Sequence, residues 1–172
     1  MKVLIVIDMQ VDFITGSLAN KDGENIIPQL KKEIDKYLND GQTVIFTKDT
    51  HCKEYLQTQE GKKLPVEHCI KGTKGWEIVP ELHYPDCLIF EKPSFGSLNL
   101  SKYISEIKDV EDIELTGVCT DICVISNAMI LKAQLPETPI NVKASCCAGT
   151  TAENHQNALK AMDMCQINII ED

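Results

Sequence analysis

Apolar positions along the chain recur with two different periods, and their alternation lays out the fold. Val3-Leu4-Ile5-Val6-Ile7 is an unbroken apolar run too short for a helix, which predicts a first strand buried on both faces. Between residues 24 and 38, Ile26, Ile27, Leu30, Ile34, Tyr37 and Leu38 share one helical face, and Gly41 supplies a stop. Thr43-Val44-Ile45-Phe46-Thr47 predicts a second strand. Residues 48–84 then lose both periods and are punctuated by Gly61, Pro65, Gly72, Gly75 and Pro80. A connection that long inside a compact domain is usually a functional loop. Leu88-Ile89-Phe90 and Ile113-Glu114-Leu115-Thr116-Gly117 predict the third and fourth strands, with a short helix over 98–107 between them. A helix over 121–135 is stopped by Pro136, Ile140-Asn141-Val142 predicts a fifth strand, and a last helix over 152–164 precedes a sixth strand at 167–170. Strand–helix alternation of this kind predicts an α/β fold with three layers, α/β/α, around a parallel, about six-stranded Rossmann-like sheet. With no repeat or linker, residues 1–172 are expected to form a single domain.

Composition narrows the function classes. A net charge of -9 leaves little to neutralise a run of phosphates, so no nucleic-acid partner is expected. No apolar run is long enough to span a bilayer, and the opening strand lacks the features of a signal peptide, so a cytoplasmic protein without a membrane partner is expected. The eight cysteines form no CxxC pair and lie mostly within or beside apolar stretches. In a reducing compartment they read as small core hydrophobes, one of which is a candidate nucleophile. The chain contains no arginine.

In open parallel sheets, ligands bind at the carboxyl ends of the strands. That edge collects Asp8 after the first strand, Asp49 and His51 after the second, Lys92 after the third, and the segment from Gly117 to Cys123 after the fourth. Thr120 is a good N-cap residue, which puts Cys123 at the third helical position, where the helix terminus favours a thiolate and free N–H groups can hold an oxyanion. Each residue also has a plainer reading: Cys123 as a buried structural thiol, Asp8 as a turn cap, Lys92 as a solvated loop lysine. Their combination is what points to chemistry, because a nucleophilic thiol needs a base for its proton and a cation for its charge. Asp49 and His51, two apart on an extended segment, point the same way and can grip one ion. His68 completes a two-histidine, one-carboxylate set, although by spacing alone three polar loop residues are more often unliganded.

At these residues the sequence resembles the nicotinamidase and isochorismatase-like cysteine hydrolase superfamily. Ile7-Asp8-Met9-Gln10-Val11-Asp12-Phe13 is similar to the family's opening motif, Glu91-Lys92-Pro93-Ser94-Phe95 to its lysine segment, and Gly117 to Val124 to its G-x-x-T-D-x-C-V motif. The resemblance implies a catalytic set of Asp8, Lys92 and Cys123, a cis peptide between Val118 and Cys119, and an oxyanion hole built from the N–H groups of Cys119 and Cys123. Asp49-Thr50-His51 and Pro65 to Gly72 resemble the metal-binding segments of the nicotinamidase branch. That likeness implies a divalent metal on Asp49, His51 and His68, usually zinc and in some members iron or manganese. In that branch the ion binds a pyridine nitrogen, which implies hydrolysis of nicotinamide to nicotinate and ammonia, with Phe13 as the aromatic wall beside the ring. Two positions depart from the pattern: Gln57 stands in the region where some members carry a further histidine, and Pro65 stands where an aromatic residue often flanks the ring. Another small carboxamide or ureido substrate, or a non-catalytic metal-binding role, is therefore kept as an alternative. Isochorismatase activity itself fits less well, because dianionic substrates are best held by bidentate arginine. A homo-oligomer is a further family-level expectation.

Overall fold

A computed structural model describes residues 1–171. Six strands, β1 (Lys2–Ile7), β2 (Thr43–Asp49), β3 (Leu88–Lys92), β4 (Asp112–Val118), β5 (Ile140–Ala148) and β6 (Asn168–Ile170), form one sheet in the order β3-β2-β1-β4-β5-β6. Every neighbouring pair is parallel. The chain therefore builds outward from β1 in one direction, then returns to add β4 on its other side. That reversal between β1 and β4 opens a crevice at the carboxyl edge, where ligands of such sheets bind.

The central strand explains the two core layers. Val3 to Ile7 are fully buried, and successive side chains leave opposite faces. Val3, Ile5 and Ile7 pack with Leu100 and Ile104 of α5 (Leu98–Glu106), Ala128 and Leu131 of α6 (Ile125–Gln134), and Leu159 and Met162 of α7 (Ala152–Met164). Leu4 and Val6 pack instead with Ile27, Leu30, Ile34 and Tyr37 of α3 (Ile27–Asn39). Each such buried aliphatic side chain contributes about 1.5–3 kcal/mol.

Several element bounds differ from the sequence expectation for physical reasons. The helix expected over 24–38 is two helices, α2 (Lys21–Asn25) and α3, with Ile26 between them. Pro28 lacks the N–H that would bond Glu24, so one helix cannot run through. Leu38 lies outside the buried face and is 38% exposed. Residues 11–14 add a single helical turn, α1 (Val11–Ile14). The 48–84 segment carries a short helix, α4 (Gln59–Lys63), and three 3-10 turns. β5 runs six residues beyond its expected end, because a register shift between Leu115 and Gly117 lets β4 pair on to Ala148. Among the described residues no helix is long and apolar enough to cross a membrane.

One strand residue breaks the apolar pattern at the opposite edge. Glu114 of β4 is 7% exposed, and burial together with the Glu33 charge pushes its carboxyl up to about 7, with Lys143 and Lys36 offsetting part of the rise. Its proton affinity in the native state thus exceeds the unfolded value of 4.5, so its contribution to stability is fully present below that value. It is lost as pH climbs towards 7, because the unfolded chain sheds the proton first. Glu114→Gln removes this titration. Between about pH 5 and about pH 8 the variant should gain roughly 2 kcal/mol on the parent in denaturant unfolding. Parallel pH profiles for the two proteins would disprove it.

Candidate active site

Asp8 follows β1 directly and is fully buried, with a backbone φ of 48°. Left-handed backbone at a residue other than glycine is uncommon and concentrates at functional sites. Gly117 on β4 makes the approach to β1 possible: its φ is 107°, and a Cβ there would collide with the Ile7 carbonyl. Thr47 of β2 donates its hydroxyl to Asp8 Oδ1 at 2.6 Å and accepts the Asp8 N–H at 3.2 Å. Lys92, the last residue of β3, is also fully buried. Its ammonium lies 2.6 Å from Asp8 Oδ2, 3.5 Å from Asp49 Oδ1 and 3.5 Å from Cys123 Sγ, and it donates to the Ser94 carbonyl at 3.0 Å. The structure therefore brings Asp8, Lys92 and Cys123 together from three strand ends, as the sequence expectation requires.

The turn that presents Cys123 differs from expectation. Cys119, not Thr120, occupies the N-cap position, and Thr120–Val124 forms a π-helical turn leading into α6. Val124 N–H reaches back to the Cys119 carbonyl and Ile125 N–H to that of Thr120, both five residues away. Such widened turns are frequent at functional sites. The Thr120 hydroxyl is unavailable as a cap because it pairs with His155 Nδ1 on α7 at 2.8 Å. Cys123 is accordingly the fourth residue of the helical segment rather than the third. The Val118–Cys119 peptide is cis.

Electrostatics set the resting protonation. Burial, then the Asp8 charge, push the Cys123 thiol well above its usual range, and Lys92 offsets only part of this. The helix terminus thus does not leave a free thiolate, contrary to the sequence expectation. Burial also raises the Asp8 carboxyl, against the opposing pull of Lys92. Burial alone would lower Lys92, but Asp8, Cys123 and Asp49 together hold it far above the ordinary lysine value. A protonated thiol thus faces a carboxylate of raised basicity beside a permanent cation.

Next to this set stands a cradle of nitrogen and oxygen donors. Asp49 ends β2, and Gln10 clamps its backbone by accepting the Asp49 N–H at 2.7 Å and donating to its carbonyl at 2.9 Å. His51 Nε2 lies 3.0 Å and His68 Nε2 3.6 Å from Asp49 Oδ2. Each is 3.7 Å from Glu60 Oε1 of α4. Four ligand atoms, one each from Asp49, His51, Glu60 and His68, lie within 4.8 Å of one another. His68 Nδ1 is 2.8 Å from the Val66 carbonyl, which directs Nε2 at the cradle. Burial alone would raise Asp49, but hydrogen bonds from His51 and His68 and the Lys92 charge hold it well below the usual carboxylate range. Two imidazoles and two carboxylates converging on one point make a donor set that fits a borderline divalent ion.

Glu60 is the site residue that sequence reasoning missed. Gln57, nearer the expected position, is exposed, and the Thr58 hydroxyl caps α4 so that Glu60 turns inward. The Thr58-x-x-Gly61 start of that helix was the only available signal. Thr47 and Gln10, which position Asp8 and Asp49, were likewise invisible without the strand register.

Both groups face one cavity of about 540 Å³, lined by Cys123, Cys119, Asp49, Glu60 and His68 with Phe13, Phe95, Leu64 and Ile122 among the apolar residues. Phe13 stands 5.5 Å from His68 between ring centroids, on the wall of this cavity. Pro65 is exposed.

The isochorismatase domain model matches residues 2–171. The nicotinamidase of Schizosaccharomyces pombe is 25% identical over 98% of this chain and 92% of its own length. The zinc complex of Pyrococcus horikoshii pyrazinamidase superposes with a TM-score of 0.87 at 26% identity, covering 99% of both chains. The pyrazinamidase/nicotinamidase of Streptococcus mutans superposes with a TM-score of 0.86 at 28% identity, over 99% of this chain and 100% of that one. With a family model spanning nearly its whole length, the chain belongs to the isochorismatase domain family, and these relatives put it on the nicotinamidase branch.

Proposed function

We propose that the protein is a metal-assisted cysteine amidohydrolase that converts nicotinamide to nicotinate and ammonia through a thioester on Cys123. The observation that carries this reading is the Lys92 ammonium, 2.6 Å from Asp8 and 3.5 Å from Cys123 Sγ, at a cavity shared with the Asp49–His51–Glu60–His68 cradle. Asp8 takes the thiol proton as Sγ attacks the amide carbon, forming the C–S bond and an oxyanion held by the N–H groups of Cys119 and Cys123. Lys92 keeps Asp8 oriented and balances the charge that develops on sulfur. Asp8 then hands the proton to the amide nitrogen, the C–N bond breaks and ammonia leaves. Water, deprotonated by Asp8, cleaves the thioester to the acid, and the thiol recovers its proton. Asp49, His51, Glu60 and His68 would hold a divalent ion, which when bound would supply Lewis acidity towards a ring nitrogen. Phe13 and Phe95 offer apolar faces for that ring.

Ammonia release from nicotinamide, pyrazinamide and ureido compounds, with and without chelator, tests the reading. Nicotinamide left intact by the zinc-loaded protein, while another carboxamide is hydrolysed, would remove the substrate assignment. That second reading has an observation in its favour: Pro65, exposed, stands where the resemblance would place an aromatic residue beside the ring.

Metal binding has its own test, independent of turnover. Glu60→Gln keeps the shape of the side chain but removes one anionic donor, and should weaken zinc binding by about tenfold or more in competition with a chromophoric chelator. Equal affinity in the two proteins would restrict the ligand set to Asp49, His51 and His68.

A further inference from the structure

A second cavity, of about 250 Å³, lies at the amino ends of the strands, across the sheet from Cys123. Glu114 lines it, together with Tyr37 of α3, Asn141 of β5 and Ile170 of β6. Only 7% of Glu114 is exposed; the Tyr37 hydroxyl is within hydrogen-bonding reach of its carboxyl, while Oε1 itself has no hydrogen-bond partner among the described residues. A buried carboxyl oxygen without a donor is rare in native structures and calls for one.

The surrounding charges show what is missing. Lys143 and Lys36 both pair with Glu33, at 2.7 and 3.1 Å, and Lys2 pairs with Asp112 at 3.1 Å. Lys2 and Lys36 line the cavity too, but each of the three lysines makes its ion pair with a carboxylate other than Glu114, on which Lys143 and Lys36 act only at longer range. Asp40 lines the same cavity, and neither it nor Glu114 has an ion-pair partner among the described residues. One cationic N–H donor would satisfy Glu114 and balance the local excess of carboxylates. A divalent metal fits poorly, because it needs several free oxygen ligands. Gln42 Oε1 already accepts the Lys2 N–H at 2.7 Å, and Asn141 Oδ1 accepts from Asn168 at 2.9 Å.

We propose that this cavity is a binding site for a small organic cation bearing N–H donors, of the primary alkylammonium class, whose nitrogen donates to Glu114 Oε1. Tyr37 and Ile170 offer its carbon chain apolar surface. The site is separate from the proposed hydrolysis and stands or falls without it.

The test titrates the full-length protein with n-butylammonium chloride at about pH 8, where Glu114 is ionised, and follows the melting temperature. A saturable rise of about 3 °C is expected at tenfold excess over Kd. Tetramethylammonium chloride, equally charged but without N–H, should give none. The rise should vanish in Glu114→Gln and in Ile170→Phe, which leaves the carboxyl in place and fills the cavity. Should the first variant fold poorly, the second carries the test. No rise with butylammonium, an equal rise with tetramethylammonium or calcium chloride, or a rise that survives in a folded variant would overturn the proposal.

Discussion

Replacing Cys123 with alanine is expected to lower kcat for carboxamide hydrolysis by about 10⁴-fold or more, to the level left by binding and oxyanion contacts alone. Cys119→Ala should keep activity within about tenfold of the parent, since a backbone N–H survives the change of side chain. Both thiols line the same cavity, so exposure to substrate does not separate them. Their neighbours do. Lys92 reaches Cys123 Sγ at 3.5 Å. Burial, then the charges of Asp121 and Asp8, push Cys119 up to about 12, and no lysine opposes them. Mass spectrometry of the protein quenched during turnover should find the acyl adduct on the peptide containing Cys123, in the parent and in Cys119→Ala alike. Activity lost only in Cys119→Ala would transfer the nucleophile to that residue.

Legibility in the sequence followed how far each feature depends on local pattern. β1 was readable because five consecutive apolar residues leave no other economical structure, and its last residue points to Asp8. The motif at Gly117 to Val124 was readable as a strand-to-helix turn, yet its π geometry was not. Thr120 has a choice of partners, and the partner it takes, His155, is 35 residues away. Glu60 was hidden for a related reason: it lies in a segment without apolar period, and only the fold places it against His51 and His68. The same holds for the protonation of Cys123. Sequence placed the thiol at a helix terminus, whereas the burial that raises it most, and the Asp8 charge that adds to it, come from the tertiary fold. Chemistry set by residue type was legible, and chemistry set by distance was not.

Asp8→Asn separates the base from the scaffold, and its expected cost is about 10³-fold or more in kcat. Asparagine fills the same volume and can still accept the Thr47 hydroxyl, which lies 2.6 Å from Oδ1 in the parent. It cannot take a proton. The thiol, already held protonated by burial, would then have no acceptor, so acyl-enzyme formation should fail before ammonia is released. Lys92 would keep Asp49 at 3.5 Å as its remaining carboxylate partner. Lys92→Met is the opposite experiment: it leaves two buried carboxylates without their shared cation, a loss that typically costs about 3–5 kcal/mol. The Asn variant should therefore fold and bind zinc like the parent while failing in catalysis, whereas the Met variant should fail in both stability and catalysis. Zinc affinity by chelator competition, unfolding in urea and quenched-flow detection of the acyl adduct read the three properties separately. If Asp8→Asn kept more than about a tenth of kcat, Asp49, also within reach of Lys92, would become the base.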